Sequence, residues 1–349
     1  FNPPALAVSA ATLAFAATAG GAAPAAQSLT LTNNGAGSVD FSVLADQPWL
    51  AVTPVTGTLT AGTPLALTVS VRLSNLSAGE YTGQITIQAP GAPNSPQRVR
   101  VTLTVRPVAV PTPSFAAAGV LHAASFASGP IAPGQLISLF GSNLGPPTAL
   151  DLVLDPATGR IATSRAGVSV LFNDLPGPLF FVRQDQINVQ APYELVGQTA
   201  VRIVVRYLET ASAPVTVSLT PASPGLFAVS QGRGQAALLN QDFSPNSASN
   251  PARRGSVVQI FLTGQGATNP PAVTGQLPQA PFPTPALPVT VSISGRAART
   301  LFVGLAPGLV GLLQINALVP DDTTPGPAVP IQVTVGAAPT QPGVTLAVN

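Results

Sequence analysis

Side chains able to do acid–base, nucleophilic or metal chemistry are scarce in this chain of 349 residues. It has no cysteine and one histidine. That histidine, His122, stands in "GVLHAAS". A serine hydrolase would need it as general base beside an activated serine, yet no G-x-S-x-G elbow is present. His122 therefore reads as a partly exposed structural residue. Metal sites built from Cys or several His are impossible. The 12 acidic residues sit mostly in turn segments. Asp151, Asp155, Asp321 and Asp322 are loop acids without EF-hand spacing. A carboxylate pair for glycoside hydrolysis would have to be assembled by the fold, and no glycine loop opening a helix is there to hold phosphate. No catalytic, cofactor-binding or metal residue is assigned, and the expectation is a protein that is not an enzyme.

Polar residues inside apolar stretches are the next candidates. "DQINVQAP" (185–192) and "LQINALVP" (313–320) each place Gln-Ile-Asn four residues before a proline. Strand alternation sends Ile187 and Ile315 inward and Gln186, Asn188, Gln314 and Asn316 to the other face. Amides there can bond the backbone of a neighbouring loop or edge, so these four are expected to form a structural bracket that Pro192 and Pro320 terminate. Contact with sugar hydroxyls is the other use of such amides. Trp49 in "QPWLAV" starts a strand. Closing the end of a core is the expected role for its indole, and stacking on a glycan is the alternative. Asn75-Leu-Ser77 is a formal glycosylation sequon in a loop.

The elements that hold these residues must be strands. With 39 Pro and 32 Gly, long helices are hard to place. Only 7% of residues are charged, against about a quarter in typical soluble proteins, so Ser, Thr, Asn, Gln, Gly and Pro must cover the surface. Net charge is +2. Arg98, Arg100 and Arg106 share one face of a period-2 run and suit edge protection better than phosphate binding, so no nucleic-acid partner is expected. The stretch 301–319 is apolar enough to suggest a membrane span. Its Pro307, Gln314 and Asn316, and the Arg183 and Asp185 in its counterpart at 179–192, argue against one. The Ala-rich stretch 5–23 alternates like a strand around Leu13 and Phe15. The chain begins with Phe, as expected of an exported protein whose signal has been removed.

Residues 1–105 are expected to form one β-sandwich and 106–114 a proline-stiffened linker. Residues 115–349 contain a repeat. "APGQLISLFGSNLGP" (132–146) aligns with "ARRGSVVQIFLTGQGA" (252–267), and "AGVSVLFNDLPGPLFFV" (166–182) with "LPVTVSISGRAARTLFV" (287–303). Residues 115–221 and 222–349 are therefore expected to be two copies of one sandwich. The fold class is all-β, three tandem immunoglobulin-like modules.

"AASFASGPIAPGQLISLFGSNLG" (123–145), "FVRQDQINVQAPYEL" (181–195), "SPGLFAV" (223–229), "AALLNQDFSPN" (236–246) and "NPARRGSVVQIFLTGQG" (250–266) together resemble the Solibacter-type uncharacterised C-terminal domain. That resemblance covers roughly 118–349. It implies an exported protein and no chemistry. The glycine-bounded strands are also similar to IPT/TIG domains. "QPWLAVTPVTGTL" (47–59) and "LSAGEYTGQITIQAPGAPNSPQRVRVTLTV" (76–105) resemble the BACON domain, which implies an immunoglobulin-like fold.

Low charge, no reactive side chains and many strand edges suit the structural subunit of an extracellular assembly, such as a filament, appendage or layer, whose partners are other copies of itself. Segment 1–15 is the candidate donor strand. The rival is a carbohydrate-binding, adhesive surface module. No cofactor is expected.

Overall fold

The computed structural model describes residues 2–349 and divides into two compact units, 1–109 and 110–349. Both are all-β. Among the described residues the only helical element is one 3-10 turn, Tyr193–Leu195, and no helix is long and apolar enough to cross a membrane. The stretch 301–319 is instead two strands, Thr300–Leu305 and Leu313–Leu318.

In the first unit, Leu6–Val8, Gln27–Asn33, Leu65–Val71 and Leu50–Thr53 lie in that order in a four-stranded sheet. Thr12–Thr18, Gln97–Arg106, Gly79–Gln88, Ser38–Ala45 and Thr56–Thr60 make a five-stranded one. Alternation decides what each strand buries. In Gln97–Arg106 the inward residues Val99, Val101, Leu103 and Val105 are buried, while Arg98, Arg100 and Arg106 are exposed. Residues from both sheets join one core, and each large apolar side chain removed from water contributes about 1.5–3 kcal/mol.

Two strands come from the N-terminal segment. Leu6–Val8 pairs antiparallel with Gln27–Asn33, and Thr12–Thr18 pairs parallel with Gln97–Arg106. The expectation that segment 1–15 is the donor strand for another chain is thus corrected for residues 6–8 and 12–15, whose backbone is already bonded within its own unit.

The second unit holds two hydrophobic clusters, one over 120–217 and one over 222–348. The first cluster joins a five-stranded sheet, whose central strands are Leu136–Ser142 and Gln186–Gln190, to a sheet built on Val168–Phe172 and Ala200–Tyr207. The second joins a four-stranded sheet containing Val257–Thr263 and Leu313–Leu318 to a seven-stranded one containing Val289–Ile293, Gly326–Val335 and Val344–Val348.

The two clusters share a pairing pattern around their Gln-Ile-Asn strands. Leu139 pairs with Ile187 and Phe140 with Gln186; Ile260 pairs with Ile315 and Phe261 with Gln314. On the other side, Phe181 faces Asn188 and Phe302 faces Asn316, each just past an irregularity in the neighbouring strand.

Candidate functional site

The two Gln-Ile-Asn segments occupy equivalent central strands. Ile187 and Ile315 are fully buried. On the opposite face the amides are half-buried, and Gln186 Nε2 donates to Asn188 Oδ1 at 3.0 Å, as Gln314 Nε2 does to Asn316 Oδ1 at 2.9 Å. The partners expected from sequence were backbone groups of a loop or edge. The structure corrects this: residues i and i+2 of a strand lie side by side on one face, so each glutamine reaches its own asparagine first.

Trp49 is 6% exposed. Its ring meets Tyr81 edge-on, with centroids 6.5 Å apart, and belongs to the core of the first unit. The suggested glycan contact at Trp49 is corrected by this burial, since no broad indole face is open to a sugar.

His122 is buried rather than partly exposed. Its Nδ1 accepts the N–H groups of Ala124 (3.0 Å) and Ser125 (3.2 Å), which leaves the proton on Nε2 to be donated to Ser223 O at 2.9 Å. A Cβ on Gly225 would run into the imidazole, so glycine is required there. Burial pushes the His122 pKa from 6.5 down to about 4, partly opposed by its backbone hydrogen bonds. Neutral, buried and fully bonded, the ring ties the first cluster to the chain entering the second and has no lone pair free for base catalysis.

Other buried polar groups lie along the same seam. Thr263 Oγ1 accepts from Leu136 N (3.0 Å) and donates to Gly311 O (2.7 Å). Gln265 Nε2 donates to Tyr193 Oη at 2.9 Å, and Gly275 N donates to Gln190 Oε1 at 2.9 Å. Burial raises the Tyr193 phenol above its ordinary value, opposed by the Gln265 bond. These groups come from residues far apart in sequence, and no local pattern marks them. Their geometry makes a joint between the two clusters, in which Gln265 Oε1 is buried without a hydrogen-bond partner among the described residues.

A different arrangement occupies residues 237–256, which connect Arg233–Ala236 to Val257–Thr263. The connection between Ser114–His122 and Leu136–Ser142, residues 123–135, is shorter. Long ordered loops on a rigid scaffold are where binding concentrates. Three asparagines hold this loop from inside. Asn240 Nδ2 donates to Asn250 O (2.9 Å), Asn246 Nδ2 donates to Asn240 Oδ1 (2.9 Å) and Ala347 O (3.0 Å), and Asn250 Nδ2 donates to Ser244 Oγ (2.7 Å). The cavity beside them has a volume of about 530 Å³ and is lined by Gln241, Asp242, Asn250, Arg253 and Ser256, among others, with Phe243 next to its lining in sequence but outside it.

Several polar atoms at this cavity are uncommitted. Asp242 Oδ1 accepts the N–H and hydroxyl of Ser244, which hold its carboxyl below the ordinary value, while Oδ2 has no partner among the described residues. Gln241 Oε1 accepts Val257 N at 3.1 Å and leaves its Nε2 free. Arg253 makes no ion pair among the described residues.

Phe243 follows Asp242. It is 71% exposed and sits at φ +66°. A bulky residue in the left-handed region costs about 1–2 kcal/mol. Leu208, also left-handed, packs against Gly167; at 71% exposure Phe243 has little such packing to offset its strain.

None of Asp151, Asp155, Asp321 and Asp322 completes a metal site, and Asp151 lies in a short strand opposite Phe181 rather than in the expected loop. Asp155 Oδ1 accepts the N–H groups of Ala157 and Thr158, and Asp322 pairs with Arg296 at 2.6 Å. Among the described residues no group of three or more His, Asp or Glu could hold a metal.

With the geometry in view, known proteins place one part of the chain. Residues 5–106 match the family described as "Viral BACON domain". This segment is a BACON domain. No family match supports the Solibacter-type resemblance of residues 118–349, and no curated protein matches the chain. Solved structures with some likeness include the Bacteroides ovatus mixed-linkage glucan utilization locus SGBP-B in complex with a mixed-linkage heptasaccharide. It is 13% identical, covers 96% of this chain and 65% of that one, and has a TM-score of 0.29. The periplasmic chaperone SfaE is 15% identical over 60% of this chain and 97% of its own, with a TM-score of 0.25. The titin I9–I11 tandem is 9% identical over 98% of each chain, with a TM-score of 0.23. These likenesses, all with TM-scores below 0.3, assign neither a fold nor a role to this chain.

Proposed function

We propose that this chain is a non-catalytic, adhesive module of an exported surface protein and that it binds neutral carbohydrate. In this reading each hydrophobic cluster is one sandwich: 1–105, then 115–221 and 222–349 after the linker 106–114. The single observation that carries it is the cavity at 237–256. Its volume, about 530 Å³, lies within the usual range for ligand sites. Its free groups include both donors, Gln241 Nε2 and the Arg253 guanidinium, and acceptors such as Asp242 Oδ2. A sugar hydroxyl is donor and acceptor at once, so it asks for both kinds of partner. The one positive and one negative charge lining the cavity cancel, which suits a neutral ligand. The only histidine is committed to the joint, which speaks against turnover by a histidine base. The test is a glycan array probed with the whole chain. Binding to neutral oligosaccharides is expected, and a blank array overturns the reading.

Self-association is the second reading, favoured by one feature of the first unit. Leu50–Thr53 is the edge of one sheet and Thr56–Thr60 the edge of the other, and residues 50–60 contain no charge. Val55 between them and Leu44 nearby are 56% and 68% exposed. Unguarded edges of this kind invite pairing with another chain. Light scattering at high concentration and microscopy of native surfaces test it. A strictly monomeric protein and no polymer would dismiss it.

A further inference from the structure

We infer that the loop at 237–256 recognises a hexopyranose by stacking its apolar C–H face on Phe243 and clamping a vicinal diol with Asp242 and Arg253. This rests on the carbohydrate reading above and specifies the ligand class and anchor of the same site.

Phe243 is the first reason. A turn residue at φ +66° is ordinarily glycine or asparagine, yet the chain keeps a phenylalanine there with 71% of its surface in water. Local strain and an exposed ring are both unfavourable in the free protein. Strain of this sort clusters at ligand clamps, and a ring that meets a ligand turns exposure into contact. A pyranose offers the matching partner, because its axial C–H bonds make one face apolar while its hydroxyls lie around the edge. Aromatic side chains supply a rigid apolar plane at small entropic cost.

The second reason is how the loop's polar groups are divided. Asn240, Asn246 and Asn250 use their amides to hold the loop. Asp242 Oδ2, Gln241 Nε2 and the Arg253 guanidinium are left to a ligand. A carboxylate oxygen accepts from one hydroxyl, and a guanidinium donates to the next with its fixed fork. The pair reads two adjacent hydroxyls without requiring charge on the ligand.

The third reason excludes a peptide added as a strand. The backbone around the cavity is already paired. Ala252 N donates to Ala347 O, Asn349 N to Ala252 O, Gly255 N to Val319 O, and Val257 N to the Gln241 side chain. No open edge remains there for strand addition, whereas side-chain groups do remain.

The other copy supplies a control. Phe126, in the shorter loop 123–135, is also left-handed, at φ +56°, and is 38% exposed. The cavity beside its neighbours Ser125 and Ala127 is lined by no acidic residue and no arginine. Phe126 has the ring without the clamp.

The experiment is calorimetric titration of the whole chain with neutral gluco-, galacto- and xylo-configured oligosaccharides. The variants are Phe243→Gly, Arg253→Ala, Asp242→Asn and Phe126→Gly, with the melting temperature of each. Asp242→Asn keeps an acceptor for the Ser244 turn. We expect Phe243→Gly to weaken binding at least tenfold while melting at or above the wild-type temperature. Arg253→Ala and Asp242→Asn should weaken it severalfold with little change in melting, and Phe126→Gly should bind as wild type. If no sugar binds the wild type, the carbohydrate reading itself falls. If sugars bind and Phe243→Gly and Arg253→Ala bind equally well, that reading stands and this site is wrong. If Phe243→Gly instead changes only self-association or retention of a protein, the ligand class is wrong. Should Phe243→Gly fail to fold, Arg253→Ala decides.

Discussion

Lowering the pH from 7 to 5 should loosen the second unit and leave the first untouched. The folded His122 has a pKa of about 4 against 6.5 for the free side chain. A depressed folded pKa means that the unfolded chain binds the extra proton. The stabilisation is therefore complete above pH 6.5, falls as pH drops, and is exhausted below about 4. The slope cannot exceed about 1.4 kcal/mol per pH unit for one proton. Integrated between pH 7 and 5, it gives a loss of about 2 kcal/mol. Structure supplies the cause. A protonated ring would put a second N–H against the Ala124 and Ser125 amides that Nδ1 now accepts. The assay is denaturant unfolding at several pH values, with an NMR titration of the single imidazole. An internal control is built in: Trp49 is the only tryptophan, it reports on the first unit, and that unit contains no histidine. Tryptophan fluorescence should show no such slope between pH 7 and 5, while signals from Tyr193 and Tyr207 should. An imidazole pKa near 6.5 in the folded protein, or equal slopes from both probes, would show that burial does not hold His122 neutral.

Other consequences follow from the same geometry. Thr263→Val should cost about 1–3 kcal/mol in unfolding of the second unit, since it strands the Leu136 N–H in the seam. Ile315→Ala should cost about 2–5 kcal/mol, and Asn316→Ala about 1 kcal/mol or less; equal costs would contradict the assignment of faces. Trp49→Ala should destabilise the first unit by about 3–5 kcal/mol and leave glycan binding unchanged, as measured by chemical denaturation and the array. The ion pairs Arg183–Asp185, Arg202–Asp174 and Arg296–Asp322 are all exposed, so melting should shift little with added sodium chloride.

Strands were readable because alternation is local. Val99, Val101, Leu103 and Val105 announce a buried face without any partner in sight, and Ile187 and Ile315 in the two Gln-Ile-Asn segments announce buried positions in the same way. What those amides bond was not readable. The expected loop partner lost to the neighbouring asparagine, two residues away on the same face. The seam was invisible for a different reason. His122 meets Ser223 and Tyr193 meets Gln265 across long stretches of chain, and nothing in "GVLHAAS" signals burial. The loop at 237–256 lay between these extremes. Its segment "AALLNQDFSPN" was conspicuous as a motif, but the cavity exists only once Asn246 is tied to Ala347 at the far end of the chain. The signal available in sequence was Phe243 itself, an aromatic between Asp and Ser where turn chemistry favours glycine or asparagine.

The central claim is tested most directly by mapping where a neutral oligosaccharide touches the folded chain, using amide NMR shifts on titration. Carbohydrate binding at this loop gives changes concentrated at Gln241–Ser244 and Asn250–Ser256, with the first unit silent. Shifts confined to other surfaces, or none at saturating sugar, would contradict it.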